Sequence, residues 1–343
     1  MAKYLEAILS RRVSGKGRKA AMIALCAIVI AVILLVVFNF SAIIEDIGEM
    51  GAYLQYKFIQ RALVVGALVA LCAALLGVTL VLKRYSMIGD GLSHVGFGAL
   101  SISAALGFVT AESLPAFLSP GIRNGIAGLC GLISESPLPF TLVVVIALAF
   151  LILRLSEGSG IRGDAAIALL STAALAIGVL VTSLTSGMNV DVMNYMFGSI
   201  LAMSKTDVTI SVTLSVIVLV LFVLFCNRIF AVTFDETFAK ATGTAANMYN
   251  MLIAILTAVT IVIGMRMMGT MLISSLIIFP ALTSMRVFSK FKHVLVSSGI
   301  ISVVCFVIGI MLSCLYEMPA GAAIVIVNLF AFIVFSLIGR IRS

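Results

Sequence analysis

Apolar positions along this chain gather into long unbroken runs, with polar and charged residues confined to short gaps between them. Ten runs are long and apolar enough to read as membrane spans: 20–44, 58–82, 87–108, 137–153, 164–184, 208–227, 249–265, 270–285, 294–315 and 322–339. A bilayer core takes about 20 apolar residues of α-helix, and in lipid a chain satisfies its backbone polar groups only as a helix or a closed barrel. The pattern therefore predicts an all-α fold, a polytopic transmembrane helical bundle of about nine to ten spans. Two stretches fit it poorly. Residues 111–136 are interrupted by Pro115, Pro120 and several glycines and read as an outer loop with short helical pieces. Residues 187–204 are apolar but short, and read as a re-entrant or interfacial segment.

Composition excludes a soluble domain: 62% of the residues are hydrophobic and 10% charged, against roughly a quarter charged in soluble domains. The net charge of +8 invites a nucleic-acid reading, but its distribution points to the membrane. With both termini in the cytoplasm, seventeen of the 22 Lys and Arg residues fall on the inner side, leaving Lys57, Arg61, Arg123, Lys205 and Arg266 outside. Basic residues collect on the cytoplasmic side of membrane proteins, so no nucleic-acid partner is implied. Arg11, Arg12, Lys16, Arg18 and Lys19 precede the run from Ala20, which is longer than the apolar core of a signal peptide. Residues 1–50 thus read as a basic segment with a span of its own. No CxxC spacing occurs, and cysteines within apolar runs behave as small hydrophobes.

Against this background, Asp90 and His94 stand out. They lie one helical turn apart in the run 87–108, and an ionisable residue at membrane depth marks function by default. Ser86, Asp90, His94, Gly98 and Ser101 form one polar, small-residue stripe, and Gly89, Gly91 and Gly96 leave room for neighbouring helices. A carboxylate and an imidazole make half of a coordination set for a divalent first-row metal. The same pair also serves a structural hydrogen bond or a proton relay. In the run 270–285, Pro280 lies inside a helix and frees the carbonyl of Leu276, with Ser274, Ser275, Thr283 and Ser284 as hydroxyls able to take up freed backbone groups. This is either a tolerated kink or a break beside a permeation path, which makes Ser274 and Pro280 candidate lining residues.

Between two spans on the cytoplasmic side, residues 233–250 predict a short amphipathic helix. Thr233 and Glu236 have capping-box spacing, Phe234 and Phe238 are four apart, Glu236 and Lys240 likewise, and Gly243 is a helix stop. Such a helix rests on membrane lipid or docks a soluble partner. No Walker A pattern is present: "GSGIRGD" at 158–164 lacks the lysine. Any ATP use belongs to another subunit, and the chain is not itself an enzyme.

"LVLKRYSMIGDGLSHVGFGAL" resembles the "RRMS-GDALSHA" signature of ABC permeases for zinc, manganese and iron, and four further blocks match in order: "DVMNYMFGSILAMSKTDV", "FDETFAKATG", "MGTMLISSLIIFPALTS" and "YEMPAGAAIVI". The resemblance covers residues 55–343, and the first 50 residues fall outside it. It implies a homodimeric permease in the cytoplasmic membrane of a prokaryote, driven by a cytoplasmic ATP-binding subunit and fed by an extracytoplasmic metal-binding protein. A divalent metal ion would be the substrate, with no permanently bound cofactor. By the same resemblance Asp90 and His94 match the pore-lining acid and histidine, and Phe234, Asp235, Glu236, Phe238 and Gly243 fall in the ATPase-coupling helix. Two other readings compete. A permease for a metal chelate such as a siderophore needs a wider pore, and a proton-coupled exchanger without an ATPase needs more buried acids than Asp90.

Overall fold

A computed structural model describes residues 56–85, 87–108, 120–135, 137–158, 163–185 and 205–342. These residues form α-helices and no strand: α1 (Lys57–Leu82), α2 (Ile88–Leu106), α3 (Pro120–Glu135), α4 (Pro137–Gly158), α5 (Gly163–Leu184), α6 (Lys205–Phe234), α7 (Glu236–Ala241), α8 (Ala246–Met268), α9 (Thr270–Met285), α10 (Phe291–Leu315) and α11 (Ala320–Arg342). The all-α bundle read from the apolar runs is the fold observed. The run 20–44 and the segment 187–204 lie outside the described residues, as does Ser86.

Each of the other nine predicted spans coincides with a helix, but they are not equal. Among the described residues, six helices are long and apolar enough to cross a membrane, namely α1, α5, α6, α8, α10 and α11; a bent pair, α3 with α4, makes a seventh if counted as one span. Helix α2 falls short because Asp90, His94 and its glycines dilute its apolar character, and α9 because it has 16 residues. The stretch read as a broken outer loop contains a 16-residue helix, α3, which opens on Pro120. Proline suits that position, where its missing amide donor leaves no helical hydrogen bond unmade. Helices α3 and α4 meet at 88°.

Small residues and hydroxyls hold the bundle together, as expected where lipid offers no hydrophobic contrast between helices. Ser302 and Ser298 of α10 donate to the carbonyls of Ala70 (2.9 Å) and Ala74 (3.4 Å) on α1. One turn further along α1, Gly77 lets α9 come so close that a methyl group there would sit 1.9 Å from the Ile277 carbonyl oxygen. Helix α9 runs unbroken through Pro280. The hydroxyls around it do not take the carbonyl of Leu276: Ser274, Ser275 and Thr283 donate to Thr270, Met271 and Phe279, and Ser284 reaches Val294 on α10. The proline is therefore a buried element of helix packing, and a break at this point is not observed.

Candidate functional site

Helix α2 is enclosed by its neighbours because its glycines admit them. A methyl group on Gly91 would lie 2.4 Å from Ile167 of α5, one on Gly96 2.8 Å from Met265 of α8, and one on Gly89 3.0 Å from Ile277 of α9. From Ile88 to Ser101 every residue is buried except two. Those two are Asp90, whose side chain is 50% exposed, and His94, at 23%. His94 Nε2 lies 3.6 Å from Asp90 Oδ2. At metal–ligand distances of about 2.1 Å, neighbouring ligands of a tetrahedral ion are about 3.4 Å apart, so this pair fits one edge of a coordination sphere. Among the described residues no group of three or more His, Cys, Asp and Glu side chains could hold a metal. One copy of the chain offers two ligands there.

The remainder of the stripe is placed differently. Gly98 faces α5, where an added methyl group would lie 2.6 Å from the Ala174 carbonyl oxygen. Ser101 is buried and accepts a hydrogen bond from Thr182 of α5 at 3.4 Å. Two steps of four residues turn Gly98 about 80° away from Asp90. The final step of three brings Ser101 back to within about 20° of it, but at that height α5 closes over α2. Gly98 and Ser101 therefore serve the α2–α5 contact and do not share the open face with Asp90 and His94. Ser274 is buried on α9, its Cα 3.6 Å from a methyl group built on Gly89, next to the Asp90 backbone.

The cytoplasmic segment also departs from its predicted geometry. Helix α6 runs on to Phe234, so Thr233 is still helical and its hydroxyl donates back to Ile229 at 2.6 Å. Asp235 takes the extended conformation and is the N-cap of α7, its carboxylate accepting from the Phe238 amide at 2.8 Å. The capping box read from Thr233 and Glu236 is not formed, because a residue inside the preceding helix cannot cap the next one. For the same reason Phe234 and Phe238 do not share one helical face. Phe234 meets Phe230 of α6 (4.7 Å, tilted) and Phe291 of α10 (6.0 Å, edge-on) and is 59% exposed, while Phe238 stands 65% exposed on α7 without a ring partner among the described residues. Gly243 ends the helix as read. Its φ of +80° lets Thr244 donate to Ala239 (2.9 Å) and Gly243 to Lys240 (3.1 Å), a Schellman arrangement.

Beneath α7, Ala239 is buried against Val232 and Ala246. Glu236 pairs with Lys240 at 2.7 Å and accepts from Asn250 Nδ2 at 3.1 Å. The Asn250 Oδ1 in turn accepts from Lys83 at the end of α1. Burial pushes the Glu236 carboxyl up, and its hydrogen bonds to Lys240 and Asn250 outweigh that, holding it below the ordinary value. Asn250 and Lys83 were not singled out from sequence. The available signal was an amide in the first turns of an otherwise apolar span, a position where polar side chains act as glue.

Residues 55–339 match the model of the ABC 3 transport family. The chain belongs to this family. It is thus the membrane subunit of an ABC transporter and a multi-pass membrane protein, with ATP hydrolysis on a separate subunit. The manganese transport system membrane protein MntC of Halalkalibacterium halodurans is 26% identical to this ABC 3 permease over 274 residues, covering 80% of this chain and 85% of that one. The high-affinity zinc uptake system membrane protein ZnuB of Haemophilus influenzae is 29% identical over 280 residues, covering 81% and 97%. The structure of PsaBC from Streptococcus pneumoniae in complex with Fab superposes with a TM-score of 0.66 at 25% identity, covering 88% of this chain and all of that one.

Proposed function

We propose that this permease imports manganese or zinc, passing the ion between two copies of the chain with Asp90 and His94 of each copy as ligands. The observation that carries the reading is the isolation of this pair. Over residues 88–101 of α2, the two residues that are not buried are a carboxylate and an imidazole set at coordination distance. A two-fold axis between copies would bring two carboxylates and two imidazoles to one point. Such a set suits a divalent first-row ion, and four ligands from two separate helices release it more readily than a closed cage. The names of MntC and ZnuB support these two metals. In this reading residues 55–343 form the transport domain, residues 1–50 add a basic segment with one further span, and an extracytoplasmic metal-binding protein delivers the ion. The deciding experiment measures metal content, element by element, in cells with and without the chain. Manganese or zinc rises when it is present; unchanged levels of both would refute the assignment.

Helix α7 is the proposed seat of the cytoplasmic ATP-binding subunit. Its support is the exposure of Phe238 beside a helix that is capped at both ends and fixed from below. Phe238→Ser leaves the Phe230–Phe234–Phe291 cluster intact, and it weakens ATPase co-purification at least about tenfold, the scale of an aromatic anchor at an interface. Retention of the ATPase at wild-type level would remove α7 as the docking site.

A further inference from the structure

We infer that Asn250 is a positioning residue that ties the ATPase-coupling helix to the start of the helix bearing Asp90 and His94. Its amide spans three elements. Asn250 lies in α8 and is buried; its Oδ1 accepts from Lys83, which ends α1, and its Nδ2 donates to Glu236 in α7. A side-chain amide is neutral and offers a donor and an acceptor on two separate atoms, which neither Asp nor Leu does.

The Lys83 end of this bridge is linked to α2 by backbone hydrogen bonds. Helix α1 closes in a Schellman arrangement, Tyr85 donating to Leu80 (2.9 Å) and Arg84 to Val81 (3.1 Å), with Arg84 in the left-handed conformation at φ +63°. Tyr85 then accepts from Ile88, the first residue of α2, at 3.1 Å. Asp90 lies in the first turn of α2. A displacement of Lys83 is therefore a displacement of the turn that carries Asp90.

The Glu236 end sits on α7, and between the two ends lies open space. A cavity of about 350 Å³ is lined by Leu80, Tyr85 and Ile88 around the start of α2, by Glu236 of α7 and by Val232 and Phe234 at the end of α6. The coupling helix and the start of α2 thus face each other across a gap that the amide crosses. Side-chain packing in this region leaves room for the two to move, and the bridge makes them move together. The seat of α7 has separate supports, the apolar contact of Ala239 and the hydrogen bond from Arg228 to Thr244 at 3.3 Å. Cutting the bridge leaves the docking surface in place.

This inference rests on the proposed docking of the ATPase at α7 and on the ligand role of Asp90 and His94. It is tested on the reconstituted transporter, permease with its ATPase and metal-binding protein, by measuring manganese and zinc uptake and ATP hydrolysis together. Asn250→Leu and the more exposed change Lys83→Met each lower uptake about tenfold, the scale of coupling between linked sites. ATP turnover and ATPase co-purification stay within about twofold, so the ATP consumed per ion rises. The double variant is no worse than either single change, because both cut one path. Lys83→Arg, which keeps the donor, retains uptake. Normal uptake in Lys83→Met and Asn250→Leu overturns the inference. So does loss of the ATPase subunit from both variants, which makes the bridge a support of the docking seat alone. Should Asn250→Leu fail to fold, Lys83→Met decides. Phe238→Ser is run beside them: if it keeps the ATPase, the docking reading fails whatever the bridge variants do.

Discussion

Asp90→Asn and His94→Leu each abolish metal uptake while the permease still reaches the membrane and pairs with a second copy. The first keeps the shape of the side chain and removes its charge; the second replaces a ligand by an apolar group of similar bulk. Both side chains reach the open face of α2, so neither change leaves a cavity in the packed bundle, and the cost to folding is small. The cost to transport is large. Loss of a residue that merely orients a metal ligand lowers affinity or activity by roughly 10–100-fold, and loss of the ligand itself exceeds that. In the proposed two-fold site every substitution would be made twice, so Asp90→Asn would remove both carboxylates and two units of negative charge. Uptake of radioactive manganese and zinc by intact cells, normalised to permease in the membrane, gives the measurement. Near-normal uptake by both variants returns the pair to a structural hydrogen bond within one helix.

Gly77→Ala disrupts the permease itself. A methyl group at this position lies 1.9 Å from the Ile277 carbonyl oxygen and 2.9 Å from its carbonyl carbon. Those atoms are backbone, in the unbroken helix α9, and cannot rotate away as a side chain would. Helices α1 and α9 must separate, which disturbs Ile277, the residue that also packs against Gly89 of α2. Overpacking of this kind costs about 1–3 kcal/mol where side chains can yield, and more where a backbone must move. The control has the opposite sign. Gly125 lies in α3 with nothing within 4 Å of an added methyl group, and alanine in an exposed helix is favoured over glycine by about 1 kcal/mol. Heating the detergent-solubilised protein and following loss of the monodisperse peak shows Gly77→Ala melting well below wild type and Gly125→Ala at or above it. Equal melting of the two variants would mean that α1 and α9 do not approach as closely as described.

The span pattern and the Asp90–His94 pair were legible because both depend on short-range facts. Partition of an apolar run into lipid depends on its length and composition, and two residues four apart share a helix face whatever surrounds them. The helix stop at Gly243 was legible for a similar reason, since a left-handed residue after a helix favours glycine. The cap of α7 was not. Thr233 and Asp235 both have the chemistry of an N-cap, and the choice between them depends on how far α6 continues, which its packing sets.

The amino-acid sequence by itself determined that this chain is an all-helical membrane protein with a paired acid and imidazole on one helix, because hydropathy and the 3.6-residue period act locally. Only the tertiary structure decided which members of the polar stripe stay open. Gly98 and Ser101 have the spacing of the stripe, yet α5 covers them, while Asp90 and His94 remain uncovered. It also decided that Lys83, far in sequence from both Glu236 and Asn250, joins them in one hydrogen-bonded bridge across three elements. The reason is that coverage and long-range pairing depend on where neighbouring helices cross. Those crossings are fixed by backbone approaches such as that of Gly77 to Ile277, between segments that no local pattern connects.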